Sequence, residues 1–109
     1  MKQKMYKLVV FVPVNSADKI RQVLAVAGAG HIGNYDYTSF SIRGIGRFRP
    51  LKGAKPAIGE AGKIEEVEEE RIETVVTGEA LDSVVEKIKA VHPYEEPVID
   101  AYELKNLEA

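Results

Sequence analysis

Apolar positions along the chain follow two rhythms, one of two residues and one of three to four. Tyr6 to Val14 (YKLVVFVPV) is a nearly continuous run of Val, Leu and aromatic residues and predicts a buried strand. In the stretch that follows, NSADKIRQVLAVAGAG, Ile20, Val23, Leu24 and Ala27 recur at helical spacing and form one apolar face. Ser16 is the expected N-cap, because its hydroxyl can satisfy a free N–H of the first turn. Gly28 and Gly30 are placed to stop the helix. Asn34 to Phe48 alternates, with Tyr35, Tyr37, Ser39 and Ser41 on one face and Asp36, Thr38, Phe40 and Ile42 on the other. This predicts a long strand, bent at Gly44 or Gly46.

The stretch RPLKGAKPAIGEAG predicts a loop. Lys63 to Val76 then predicts a second long strand, with Ile72, Thr74 and Val76 on one side. Its cluster of glutamates would also suit a helix, but residues 35–48 need a hairpin partner. A second helix is expected over EALDSVVEKIKAVHP, where Leu81, Val84, Val85, Ile88 and Val91 make a core stripe. Pro97 to Leu104 predicts the last strand. The order is strand, helix, strand, strand, helix, strand. Two right-handed crossovers close such a chain into one antiparallel sheet with both helices on one face. The fold class is therefore α+β, a ferredoxin-like βαββαβ domain with a long hairpin between its second and third strands. At 109 residues the chain suits one domain, 1–109.

Composition narrows the function classes. Hydrophobic residues make up 45% of the chain, enough for a packed core. Charged residues make up 29% with a formal net charge of -2, which argues against a general nucleic-acid binder. Only Arg43, Arg47, Arg49 and Lys52 offer a local basic patch. The apolar run near the N-terminus is far too short for a bilayer and lacks a cleavage site, so neither a membrane span nor a targeting segment is expected. The absence of cysteine excludes disulfide and thiolate chemistry and fits a cytoplasmic protein.

The phrases GAGHIGNYD, FRP and HPYEEP occur in that order within residues 5–104. Together they resemble the domain inserted in YqfO-type members of the Nif-three-like family, and HPYE followed by Pro is similar to a segment of the CutA proteins. The resemblance implies a PII-like and CutA-like fold and assembly as a homotrimer. The dinuclear metal centre of the parent family lies in a separate domain whose histidines have no counterpart here. The chain thus looks like the inserted module alone, and the resemblance implies no enzymatic activity.

Four candidate sites follow from the residues. His92, with Glu95 and Glu96 in VHPYEEPVID, offers imidazole and carboxylate ligands for a divalent metal ion. The same stretch is equally a corner, because Pro93 ends the helix and Pro97 starts the strand. His31, in a glycine-rich turn, is a further candidate ligand. In this topology His31 and His92 precede strands at opposite edges, so a shared metal would require two subunits. Arg47, Arg49, Lys52 and Lys55 in the hairpin loop are candidates for contact with an anion or a protein partner. The acidic run from Glu65 to Glu70 could bind cations weakly, but it reads first as a solvated or edge-strand face. No nucleophile motif is present. The expected function is a non-enzymatic, self-associating binding or regulatory module. The alternative is a divalent-metal-binding protein with the metal-tolerance role of CutA. No cofactor is required, and a divalent metal ion is the only candidate.

Overall fold

A computed structural model describes residues 3–105, so the expected domain 1–109 extends past the described residues at both ends. The chain forms β1 (Met5–Pro13), a 3-10 turn (Val14–Ser16), α1 (Ala17–Val26), β2 (Phe40–Phe48), β3 (Glu65–Thr77), α2 (Gly78–Val91) and β4 (Ile99–Leu104). The strands make one antiparallel sheet in the order β2-β3-β1-β4. This is the predicted ferredoxin-like arrangement. No helix among the described residues is long and apolar enough to cross a membrane.

Register divides the sheet into two faces. Leu8, Val10 and Val12 of β1 share a face with Ile72 and Val76 of β3. With Ile20 and Leu24 of α1 and Val84 and Ile88 of α2, they form the buried core. The helical stripes read from the sequence therefore do bury against the sheet. The other face carries Val9 and Phe11 of β1, Phe40 and Ile42 of β2, and Tyr102 of β4. The β2–β3 hairpin projects beyond the core and accounts for a molecule measuring 50 × 22 × 22 Å.

Several expected boundaries move. Ser16 precedes α1 but makes no side-chain cap, because the 3-10 turn leaves it at φ -109° and ψ 0° instead of the extended backbone typical of a cap. Thr77 does cap α2, accepting from the Ala80 N–H at 3.2 Å. β2 begins at Phe40 and not at Asn34. Alternation continues upstream, but the β3 edge there is already taken: the Gly30 N–H donates to the Val75 carbonyl at 2.7 Å. Thr38 closes the intervening loop by donating its N–H and hydroxyl to the Gly30 carbonyl. A Cβ at Gly30 would lie 2.6 Å from the Thr38 carbonyl oxygen, and φ there is +80°, so the closure requires glycine. Neither Gly44 nor Gly46 interrupts β2, which stays in continuous register with β3 from Phe40 to Phe48. β4 begins at Ile99, two residues after Pro97.

Candidate functional site

The turn after α2 is built around His92. Pro93 prevents the helix from continuing, and the His92 N–H makes the last helical bond, to the Ile88 carbonyl at 2.9 Å. His92 then adopts an extended backbone that turns its ring under the sheet. The imidazole is only 8% exposed. Its Nδ1 accepts the Tyr94 N–H at 3.1 Å, and its Nε2 lies 2.7 Å from the Phe11 carbonyl oxygen. A backbone N–H only donates and a carbonyl only accepts. This pair of bonds fits the tautomer that carries its proton on Nε2. Both nitrogens are engaged with backbone, so a metal at His92 would have to displace one of these bonds. Glu95 and Glu96 do not orient the ring.

Tyr94 continues the turn onto the far face of the sheet. Its hydroxyl donates to Glu69 Oε2 at 2.7 Å, and its ring meets Phe48 edge-on with centroids 5.8 Å apart. Burial first, and then the hydrogen bond and charge of Glu69, push the Tyr94 hydroxyl well above its ordinary pKa of 10.0. The phenol thus stays a donor. Glu69 is itself 9% exposed. Its carboxylate lies over Gly46, where a Cβ would come within 2.2 Å of Oε1. A side chain at this position would force the Glu69 carboxylate to move.

Glu70, 7% exposed, is buried on the opposite face. It binds the Arg21 guanidinium, which also holds Asp18 and donates to Ser41 Oγ at 3.0 Å. These partners raise the Arg21 pKa above its ordinary value, the Asp18 hydrogen bond contributing most. The expected solvated acidic run is therefore corrected at two positions. Glu65 to Glu70 lie in a strand, where successive side chains alternate faces. Glu69 and Glu70 fall where the sheet is covered on both sides, while Glu66 and Glu68 remain exposed.

The hairpin loop folds back toward the turn. The Lys55 N–H donates to Glu95 Oε1 at 2.9 Å, and the Gly62 N–H donates to the Pro50 carbonyl at 2.9 Å. Between loop, hairpin and turn lies a cleft of about 650 Å³. Phe11, Phe48, Tyr94 and Val98 form its apolar side and Glu69 supplies a carboxylate. Of the four cationic residues singled out in the loop, Arg47 and Arg49 line the cleft and Lys52 and Lys55 do not. Arg47 also pairs with Glu66 at 2.6 Å.

The four expected metal ligands do not converge. His31 is exposed on the loop closed by Gly30 and Thr38. That loop is anchored at Val75, opposite Lys7, whereas His92 bonds Phe11. Four residues of β1 separate these levels, about 14 Å of strand. Glu95 is engaged with the loop backbone, and Glu96 is exposed. Among the described residues no three His, Asp or Glu side chains are grouped to hold a metal ion. In the sequence, Gly46 is expected only as a bend in β2, and Glu69 only as one member of the acidic run. Their only signal there is a Glu and a Gly on neighbouring strands of a hairpin, which has no meaning until the register is known.

No family model matches the chain. It is 50% identical over 104 residues to a "GTP cyclohydrolase 1 type 2 homolog" of Halalkalibacterium halodurans, covering 95% of this chain and 28% of that protein. A protein of the same name from Bacillus subtilis is 46% identical over 103 residues, with 94% and 28% covered. Among solved structures, a Bacillus cereus protein related to NIF3 superposes with a TM-score of 0.83 at 44% identity, over 95% of this chain and 26% of that one. CutA1 from Pyrococcus horikoshii superposes with a TM-score of 0.69, over 94% of this chain and 86% of that one. At 18% identity this last likeness shows the fold alone. The chain spans just over a quarter of the curated relatives it matches, and it is a homologue of the CutA-like segment of the Nif-three-like proteins.

Proposed function

We propose that this chain is a non-catalytic binding module that self-associates, as a trimer, through the sheet face its helices leave bare. The observation that carries this reading is the apolar content of that face. Phe40 is 62% exposed, Ile42 51% and Tyr102 52%, all on the side opposite the core. They lie on β2 and β4, the two edge strands, whose outer sides pair with no further strand among the described residues and so suit pairing with another chain. Closed rotational assembly covers such edges and faces without propagating into a fibre. The resemblance to PII and CutA proteins favours three copies. In this reading the module works in the cytoplasm, and neither histidine is catalytic: His92 is a structural pin and His31 a surface residue.

Sedimentation equilibrium tests the proposal. A mass of three 12.0 kDa chains is expected, with dissociation on Ile42→Glu. A wild-type chain that sediments as a monomer across the accessible concentration range would overturn it.

A further inference from the structure

We propose that the cleft between the hairpin loop and the HPYEEP turn binds a flat organic cation, an aromatic amidine or amine, with its ring against Phe48 and Tyr94 and its charge against the Glu69 carboxylate. This deepens the reading of the chain as a binding module, and the cleft shares Phe11 with the sheet face proposed for self-association, so the two are tested separately.

Size and wall chemistry set the class of ligand. A volume of about 650 Å³ accommodates a small molecule. Phe48 and Tyr94 present two rings set at 61° to each other, so a planar group can lie on one and meet the edge of the other. Phe11 and Val98 extend the apolar surface.

Charge decides the sign. The cleft is lined by the acidic residues Glu69, Glu95 and Glu96 and by the basic residues Arg47 and Arg49. Arg47 is already neutralised by Glu66 at 2.6 Å. Its side chain is thereby drawn to the opposite face, and along the cleft wall three acidic residues against one remaining arginine, Arg49, favour a cation.

Glu69 supplies the directional contact. Its Oε2 accepts the Tyr94 hydroxyl, and among the described residues no hydrogen bond reaches its Oε1. No buried side-chain oxygen or nitrogen among those residues lacks a partner, so Oε1 is not sealed from solvent, and Glu69 is part of the cleft wall. Each carboxylate oxygen accepts two hydrogen bonds, which leaves room for a two-pronged donor even with Tyr94 in place. Poor solvation strengthens such a charged pair. Gly46 is part of the device, since any side chain there would occupy the position of the carboxylate.

Benzamidine is the probe and benzamide its neutral counterpart of nearly the same shape. In proton–nitrogen correlation spectra of the full chain, benzamidine should produce saturable shifts at the Phe48, Tyr94 and Glu96 amides. Benzamide should bind at least about tenfold more weakly, as the loss of a charged hydrogen bond requires. Glu69→Gln preserves an acceptor for Tyr94 and removes the charge, and it should weaken benzamidine by a similar factor. Absence of saturable shifts overturns the proposal. So does equal binding of the two probes by the wild type, a comparison that needs no variant. So does unchanged benzamidine affinity in a folded Glu69→Gln protein. Benzamidine is titrated into the wild type and into Ile42→Glu, the variant expected to dissociate: no saturable shifts in either overturns this site and leaves the self-association intact, while a monomeric wild type that binds it does the reverse.

Discussion

His92 Nε2 lies 2.7 Å from the carbonyl oxygen of Phe11, 81 residues away in sequence, and this bond ties the end of α2 to the middle of β1. The other ring nitrogen accepts from Tyr94, so one side chain satisfies two backbone groups at the corner. His92→Ala should therefore cost more than a surface histidine does. It leaves the Phe11 carbonyl and the Tyr94 N–H without their partners and opens a small void. A loss of about 2–4 kcal/mol is expected in urea denaturation. His31→Ala, on an exposed loop, should stay within about 0.5 kcal/mol. Equal effects of the two substitutions would contradict the pin.

The Tyr94 hydroxyl gives the protein an alkaline liability. Its folded pKa is raised above the unfolded value of 10.0, by burial first and then by Glu69. The folded state therefore holds this proton more tightly than the unfolded state. Its contribution is complete below the unfolded pKa and is lost as pH rises toward and through the folded one. Urea midpoints from pH 8 to 11.5 should fall more steeply above about pH 10 in the wild type than in Tyr94→Phe. Parallel curves would show that Tyr94 titrates alike in both states.

Gly46 and Glu69 are coupled by space. Gly46→Ala places a methyl group where Glu69 Oε1 sits, so the carboxylate must swing away from Tyr94, at a cost of about 1 kcal/mol. Glu69→Ala removes the obstruction, so the double variant should be less destabilised than the sum of the two single ones. Additive effects in thermal melts would deny the contact.

Glu70 and Glu66 each pair with an arginine, but in different surroundings. Arg47–Glu66 is exposed on both sides, and breaking it should cost at most about 1 kcal/mol. Glu70 is buried and serves Arg21, so Glu70→Ala should cost more, about 2–4 kcal/mol. A double-mutant cycle on each pair separates the two cases, and equal coupling energies would reject the distinction.

The pattern of apolar positions was enough to give the order of elements and the stripe of α2, where Val84 and Ile88 are fully buried as their spacing implied. It was enough as well to make a strand of the acidic stretch, because a hairpin needs two sides. HPYEEP was legible as a corner from its prolines. Its metal reading came from residue types alone, and residue types do not say where a lone pair points.

The sequence alone determined what is local: helical and strand periodicities, the prolines that end one element and start another, and from their order a single antiparallel sheet. Periodicity is a property of neighbours, so it survives without a fold. Tertiary structure decided what depends on partners distant in the chain. Asn34 to Ser39 alternate like a strand, but Gly30 had already taken their edge of β3. Glu69 and Glu70 carry the same carboxylate as the rest of their run, yet register buries them on opposite faces, one under Tyr94 and one under Arg21. His92 has the chemistry of a ligand, and only the sheet shows that its second nitrogen already meets the Phe11 carbonyl. A buried polar group takes its role from the partner it meets, and that partner is fixed only when the strands align.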